Sequence, residues 1–446
     1  MNQKNTKTAL LGSAPIPKAL LSMGIPTMIG MLVNAFYNLA DAYFVSGLGE
    51  SQVAAISVVY PLGQVVVGLG LLFGNGAASC LSRLLGKDER VCADRVASTA
   101  LYGSLAAGTV LIVFCLLLRN PVLKLLGATE SILPYAAAYA SIYIASSIFN
   151  IFNVTMNNLV TSEGAAKTTM CALLSGAVLN IVLDPLFIYG GHLGIAGAAM
   201  ATAVSQMVST GIYIGYILLG NSVFHFNPKD CTFTRKVLSE ILKIGVPTMI
   251  FQILTSLSIS LTNHAAGEYG ESAIAAMGVV TRLISIGSLS VFGFIKGFAP
   301  IAGYSYGAKK YDRLREAVKT SIVWSSVFCI IFGLVLALFP AWIISQFTQN
   351  DVQMIRIGAA SLRANGITIM FFGYYTVYSS LFLALGKARL GFFLGACRQG
   401  ICFIPVILLL PHLSGLNGVL YAQPAADVLS FLIAIFMRRR LLHLEA

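Results

Sequence analysis

The feature that most constrains this chain is a series of twelve apolar segments, each long enough to cross a bilayer. A transmembrane helix needs about 20 apolar residues, and these segments with their short connections occupy nearly all of the 446 residues. Only 10% of the residues are charged, against about 25% in soluble domains, which excludes a soluble fold. We predict spans near residues 18–46, 52–79, 93–118, 131–159, 168–189, 194–219, 237–263, 272–302, 317–343, 353–382, 389–411 and 415–437.

Basic residues favour one side of this predicted bundle. If the N-terminus is inside, the inside segments hold 22 Lys and Arg residues and the outside segments hold 3. Because Lys and Arg near span ends resist translocation, we predict that both termini are cytoplasmic. The formal net charge of +12 is then an orientation signal for a protein in a lipid bilayer, and it gives no reason to expect nucleic acid. No signal peptide is expected.

The sequence contains an internal duplication. Residues 24–59 and 245–280 are identical at 12 of 36 positions without a gap, at an offset of 221. Six spans per half put both halves in the same orientation, so the expected fold is two six-helix bundles related by a parallel pseudo-two-fold axis. The predicted units are an N-terminal lobe (1–219), a cytoplasmic linker (220–236), a C-terminal lobe (237–437) and a basic tail (438–446).

Two prolines recur within this duplication. Pro26 and Pro247 fall inside the first span of each half, where a proline removes one backbone hydrogen bond and bends a helix. Each is either a fixed kink or a hinge that bends and straightens during transport.

Polar side chains on four spans of the first half form stripes that lipid would not accept. Asn34, Asn38 and Asp41 lie on one face of span 1, at i, i+4 and i+7. Spans 4, 5 and 6 add Asn150, Asn153 and Asn157; Asn180 and Asp184; and Thr202 and Gln206. At the offset of 221, the second half has Thr262, Ile401 and Pro405 in place of Asp41, Asn180 and Asp184.

The two acids carry the functional hypothesis. A carboxylate inside a span costs at least ~2.5 kcal/mol on insertion scales, so it usually marks an ion or proton route. For Asp184, a helix-terminating turn at Asp-Pro is the alternative, and the asparagines could be interhelical glue. Two coupling chemistries stay open: Asp41 could take up and release a proton, or a Na⁺ could bind oxygen atoms of Asp41, Asn180, Asp184 and Thr202.

Other polar and aromatic residues are candidates for a cargo cavity. Aromatic side chains on a span face lipid by default, but those lining a cavity would suit flat lipophilic cations. The candidate cavity residues are Asn34, Asn38, Asn153, Tyr37, Met28, Phe149, Tyr375 and Tyr378.

The remaining charges within the spans have simpler readings. Arg282 and Lys296 lie on span 8. Lys296 is close enough to the cytoplasmic end to snorkel, and a role in the cavity is the alternative. Arg363, Arg398 and Asp427 could form an ion-pair set in the second bundle. Glu163 and Lys167 are expected to be a solvated pair at a helix end.

Three segments carry a family resemblance: Asn38-Leu-Ala-Asp41, Glu163-Gly164-Ala-Ala-Lys167 and Asp184-Pro185-Leu-Phe-Ile. They resemble the MATE (multidrug and toxic compound extrusion) family, in particular its DinF-type branch with the MepA-like bacterial multidrug exporters. The resemblance implies a coupling network of Asp41, Tyr139, Asn157, Asn180, Asp184 and Thr202. The additional acids that NorM-type members carry on spans 7 and 10 are absent from this sequence.

The expected function is a secondary active antiporter in a bacterial plasma membrane. It would export small lipophilic cationic drugs or dyes in exchange for H⁺ or Na⁺, as a monomer and without a cofactor. The alternative is a lipid-linked oligosaccharide flippase of the wider superfamily, whose cavity would be rich in Arg and Lys. An enzyme is not favoured, because no HExxH, GxSxG or Walker motif is present. Eight scattered cysteines predict neither disulfides nor a metal site.

Overall fold

The computed structural model describes residues 3–348 and 351–442, with the side chains of residues 3–6, 42, 50 and 438–442 left out. Within those ranges every regular element is a helix. The α-helices are α1 (Gln3–Gly12), α2 (Ile16–Ser46), α3 (Glu50–Gly86), α4 (Arg90–Leu117), α5 (Arg119–Leu125), α6 (Leu133–Ser162), α7 (Ala166–Pro185), α8 (Ile195–Leu218), α9 (Arg235–Gly267), α10 (Glu271–Gly307), α11 (Tyr311–Leu338), α12 (Pro340–Ser345), α13 (Val352–Thr368), α14 (Phe372–Ala384), α15 (Ala388–Ala396), α16 (Phe403–Ser414) and α17 (Leu416–Leu442).

Twelve helical segments of the described chain are long and apolar enough to cross a membrane, which confirms the predicted number of spans. Span 5 extends α7 by a π-helical turn, Leu186–Gly190. Span 10 joins α13 to α14 through a 3₁₀ turn at Ile369–Phe371. Span 11 joins α15 to α16 through a π turn at Cys397–Ile401. The predicted basic tail begins inside α17, and residues 443–446 lie outside the described residues.

The duplication is visible residue by residue in the backbone. Helices α3 and α10 both have 37 residues, α4 and α11 both have 28, and the members of each pair begin at positions related by the sequence offset. The turns repeat as well: Asp88 and Lys309 have φ values of 58° and 57°. Gly194 and Gly415, which precede α8 and α17, have φ values of 55° and 59°. The two bundles are therefore copies of one six-span unit.

The two bundles pack against each other mainly through α2 with α10 and α3 with α9. We call the side of the protein on which span 1 begins and span 12 ends the termini side. Near this side, small residues allow the helix backbones of the two bundles to come into contact. A Cβ atom added at Gly245 would lie 1.9 Å from the carbonyl oxygen of Leu72, and one at Gly307 would lie 2.1 Å from that of Arg83. Such close approach by glycine is a usual feature of helix interfaces in membranes.

Side-chain hydrogen bonds add to this contact between the bundles. Thr27 Oγ1 donates to the carbonyl of Gly293 at 2.6 Å, and Asn75 Nδ2 donates to Thr248 Oγ1 at 3.0 Å. The Arg83 guanidinium pairs with Glu240 at 3.1 Å. Pro26 and Pro247 lie inside the continuous helices α2 and α9, so their role as hinges stays a prediction.

The sequence analysis did not predict the first helix, α1, which touches both bundles on the termini side. Lys7 Nζ donates to Tyr216 Oη of the first half at 2.6 Å and to the carbonyl of Asn221, at the start of the predicted linker, at 2.5 Å. From the second half, Arg313 donates to the carbonyls of Leu11 and Ala14 at 3.1 and 2.6 Å. Arginine at the C-terminal end of a helix satisfies carbonyls that have no partner within the helix.

Candidate functional site

The two acids of the first half lie in one region of the protein interior. Asp184 is fully buried near the end of α7, and Asn180 Nδ2, one turn earlier, donates to its Oδ1 at 3.3 Å. The same amide lies 3.5 Å from Thr202 Oγ1 on α8. Asp41 comes from α2, and its carboxyl group is close enough to that of Asp184 for the two charges to interact. Three helices thus converge on this site, which we call the acid site.

Two tyrosines complete the acid site. The hydroxyl groups of Tyr37 and Tyr139 both lie near the carboxyl groups of Asp41 and Asp184. The Tyr139 ring stacks on Tyr143 with centroids 5.7 Å apart, which fixes its orientation. Of the six residues implied by the resemblance, five therefore lie in this site: Asp41, Tyr139, Asn180, Asp184 and Thr202.

The acid site contains buried oxygen atoms without hydrogen-bond partners among the described residues. They are Asp41 Oδ1, Asn180 Oδ1 and Asp184 Oδ2. A buried polar atom without a partner is costly, and two nearby carboxylates raise that cost by mutual repulsion. A proton on one carboxyl group would remove the repulsion. A Na⁺ would instead use the carboxylate and amide oxygens as ligands, so the donor set suits either ion. Nowhere in the described ranges do three or more His, Cys, Asp or Glu residues cluster as a metal site.

The sixth residue, Asn157, takes part in a different set of hydrogen bonds nearer the termini side. Its Nδ2 donates to Tyr213 Oη on α8 at 3.2 Å. Its Oδ1 accepts a hydrogen bond from the ammonium of Lys296 on α10, in the other half. One turn away on α6, Asn153 donates to Gln206 Oε1 at 2.7 Å and accepts from Thr210 at 2.9 Å. Asn153 is therefore an internal partner of α8.

A cavity with a volume of about 570 Å³ lies between the halves and within the second half. Its lining is mostly apolar and includes Phe251, Phe292 and Tyr375. Two basic residues, Lys296 and Arg398, line it, whereas neither Asp41 nor Asp184 does. A volume of this size fits the range of about 300–1,000 Å³ for small-molecule sites.

Arg398 forms a buried ion pair with Asp427. Its Nε lies 2.8 Å from Asp427 Oδ1, and the two side chains are only 7% and 5% exposed. Gln423 donates to the same oxygen at 2.8 Å, and the guanidinium lies 4.4 Å from the centre of the Phe372 ring. The structure thus brings together Arg398 and Asp427 of the expected ion-pair set. Arg363 is exposed and lies outside this pair.

The candidate cavity residues are distributed over several places. Tyr375 lines the cavity, and its hydroxyl donates to the carbonyl of Leu394 at 2.6 Å. The lining does not include Met28, Asn34, Tyr37, Asn38, Phe149, Asn153 or Tyr378. Asn34 and Asn38 are exposed, and Asn38 Nδ2 donates a hydrogen bond to Asn34 Oδ1 at 3.0 Å. Of the polar stripe predicted on span 1, only Asp41 therefore lies in the acid site.

Two sequence interpretations need correction. Lys296 does not snorkel to a membrane surface, because its ammonium bonds to Asn157 inside the protein. The duplication could have indicated this, since Lys296 corresponds to Asn75, which also lines the cavity.

The expected solvated pair of Glu163 and Lys167 is also wrong, because Glu163 is fully buried. It accepts hydrogen bonds from Tyr216 Oη, from Ser222 Oγ at 2.9 Å and from the Val223 backbone N–H at 2.7 Å. Burial raises the pKa of the Glu163 carboxyl group, against the opposing effect of these donors and of the Lys7 ammonium. Lys167 itself is exposed.

Comparison with known proteins finds similarity along the whole chain. The MatE family model matches residues 26–186 and again residues 247–409, so the two matches repeat at the offset of the duplication. The multidrug export protein MepA of Staphylococcus aureus (strain MSSA476) is 30% identical over 431 residues, which are 95% of this chain and 94% of that protein.

Solved structures agree with this similarity. A multidrug resistance MATE transporter of the MOP superfamily, in an outward-facing conformation, has a TM-score of 0.92 and 26% identity, with 98% of both chains covered. A MOP-superfamily transporter from Pyrococcus furiosus has a TM-score of 0.91, 26% identity and the same coverage. That transporter is described as having a binding pocket of reverse polarity, suggesting a different function.

Proposed function

This chain belongs to the MATE family, and from that premise we propose that it is an antiporter driven by H⁺ or Na⁺. It is a multi-pass protein of the bacterial plasma membrane and a multidrug efflux transporter rather than an enzyme. In the proposed cycle, entry of an ion at the acid site drives export of a lipophilic drug from the cavity between the halves. The termini side faces the cytoplasm, as the bias of basic residues favours.

The observation that carries the proposal is the set of partnerless buried oxygens at Asp41, Asn180 and Asp184. Buried carboxyl oxygens without hydrogen-bond donors are unfavourable, and binding a proton or a cation relieves that cost. Because Asp41 comes from α2 and Asp184 from α7, an ion shared between them would change how these helices pack. That gives the ion a differential effect on two conformations, which coupling requires.

Alternating access follows from the duplicated architecture. The halves are joined closely on the termini side through α2 with α10 and α3 with α9, and in the proposed cycle this contact closes the path on that side. Rocking of one half against the other would open that side. We propose that Pro26 and Pro247 act as the hinges within α2 and α9, since a proline already weakens one backbone hydrogen bond there.

The charge of the cargo depends on the groups that line the cavity. The expectation of lipophilic cations rested on buried acids facing the cargo, and Asp41 and Asp184 lie outside the cavity lining. Cations remain within the proposed range, because aromatic and hydroxyl groups such as Phe292, Tyr375 and Thr255 line the cavity and offer stacking and cation–π contact. We propose that the acid site couples the ion while the cavity binds the cargo.

The test is efflux of the cationic dye rhodamine 123 from proteoliposomes under a pH gradient alone and then a Na⁺ gradient alone. The gradient that drives efflux identifies the ion. Asp41→Asn should abolish gradient-driven efflux while the protein stays folded, and Asp88→Asn, at an exposed ion pair with Arg90, is the control. Efflux by Asp41→Asn at the rate of the unmodified protein would refute the proposal.

A second candidate, a lipid-linked oligosaccharide flippase, is favoured by one observation. The basic groups Lys296 and Arg398 line the cavity, and no carboxylate does among the residues that the structure describes. Reconstituted protein that moves a fluorescent lipid pyrophosphate across vesicles, without rhodamine efflux under either gradient, would reverse the ranking.

A further inference from the structure

We infer that Lys296 makes the cavity a recognition site for an anionic group, so that the preferred cargo is an apolar molecule carrying a carboxylate or phosphate. The inference rests on the proposed function only in taking this cavity as the cargo site. It deepens that proposal by naming the charge that the cavity would select.

Lys296 is an unpaired basic group within a cavity. No carboxylate of the described residues forms an ion pair with its ammonium, and its hydrogen-bond partner is the neutral Oδ1 of Asn157. Removing an ammonium from water without an opposite charge is costly. An anionic ligand would supply the missing charge.

The neighbouring arginine shows the contrast. Arg398 also lines the cavity, but Asp427 lies beside its guanidinium at 2.8 Å and cancels its charge. The acids Asp41 and Asp184 are absent from the lining, and so is every other carboxylate of the described residues. The cavity therefore presents one uncompensated positive charge, at Lys296.

The rest of the lining fits the apolar body of such a ligand. Phe292 and Leu289 precede Lys296 on the same helix by one and two turns, and both line the cavity. Across from them lie Phe251 and Ile259 of α9. A ligand with its anionic group on Lys296 would extend its apolar part away from the termini side, along α10.

Binding would also exchange a contact between the halves. Asn157 belongs to the first half and Lys296 to the second, so their hydrogen bond links the two bundles. An anion that pairs with the ammonium replaces the Asn157 oxygen as its partner. A charge-assisted hydrogen bond is stronger than one to a neutral amide, which favours the exchange.

The experiment compares two dyes that differ in one group. Rhodamine 110 carries a free carboxylate, and rhodamine 123 is its methyl ester with the same ring system. Equilibrium binding to purified protein is measured by fluorescence polarisation without any gradient, so a failure of ion coupling cannot affect it. We expect Lys296→Gln to weaken rhodamine 110 binding about tenfold or more and to change rhodamine 123 binding less than about twofold.

Two further variants separate charge from structure. Lys296→Arg keeps the positive charge and should retain rhodamine 110 binding within about threefold. Lys243→Gln removes a half-exposed lysine outside the lining and should change neither dye. The inference is overturned if Lys296→Gln weakens both dyes equally, if it leaves rhodamine 110 unchanged, or if Lys296→Arg binds rhodamine 110 as weakly as Lys296→Gln does.

A competition arm identifies the source of the anionic group. Lysophosphatidate is an apolar chain with a phosphate monoester, as in a lipid headgroup. If it displaces rhodamine 110 from the unmodified protein, lipid phosphates are within the cargo class. If it does not, while rhodamine 110 binding still depends on Lys296, the site selects soluble carboxylated compounds.

Discussion

The closest contact between the two halves gives a quantitative prediction for Gly245→Ala. The added Cβ atom would lie 1.9 Å from the carbonyl oxygen of Leu72, whereas ordinary contact begins at 3.4 Å. The helices α3 and α9 must therefore separate locally by the difference between these two distances. No side-chain rotation can relieve this, because the obstructing atoms of Leu72 are backbone atoms.

The expected loss of stability follows from two opposing effects. Overpacking costs about 1–3 kcal/mol, and a backbone obstruction places Gly245→Ala at the upper end of that range. Alanine in a helix interior recovers about 1 kcal/mol relative to glycine. The net destabilisation should be about 2 kcal/mol, measured as a lower thermal unfolding midpoint of the purified protein in detergent.

Gly278→Ala on α10 is the matched control, because nothing lies within 4 Å of its added Cβ atom. It should keep or raise the unfolding midpoint, since only the helix-propensity gain applies. The reasoning is refuted if Gly245→Ala is as stable as the unmodified protein, or if Gly278→Ala loses as much stability.

Two other predictions concern buried charges, and both are checked by thermal unfolding. Arg398→Met leaves the Asp427 carboxylate buried without the guanidinium and should lower the free energy of unfolding by about 3–5 kcal/mol. The double variant, Arg398→Met with Asp427→Leu, should recover most of that loss. Equal destabilisation of the single and double variants would contradict the pairing. Burial raises the pKa of Glu163, so the folded protein binds this proton more tightly than the unfolded chain does. The resulting contribution to stability is present below the ordinary glutamate pKa and is lost as pH rises through the raised value. Glu163→Gln should flatten this part of the pH dependence, and an unchanged slope would count against it.

The span number and the duplication could be predicted from sequence because both depend on local pattern. Each span needs only enough consecutive apolar residues, and the offset of 221 requires only a comparison of the chain with itself. The convergence of Asp41, Asn180, Asp184 and Thr202 was also accessible, since all four interrupt apolar segments of one half.

The two interpretations that the structure corrected concern residues whose hydrogen-bond partners are distant in the chain. The nearby Lys167 predicts a solvated pair with Glu163, yet the partners of Glu163 are Tyr216 at the end of α8 and Ser222 and Val223 in the predicted linker. The position of Lys296 near the end of span 8 predicts snorkelling, but its partner in the structure, Asn157, belongs to the other half. The cavity lining draws on both halves, and helix periodicity alone does not determine which face of a span turns towards it.

The ion pair of Arg398 and Asp427 can be compared with the corresponding positions of the first half. At the offset of 221, Gln423 and Asp427 stand where the first half has Thr202 and Gln206. The second half therefore has its own acid close to the position of the acid site, and a guanidinium is fixed beside that acid at 2.8 Å. An arginine does not dissociate, so this copy of the site carries a permanent counterion. The acid of the second half is thereby held in a fixed ion pair, whereas Asp41 Oδ1 and Asp184 Oδ2 of the first half have no hydrogen-bond partner among the described residues.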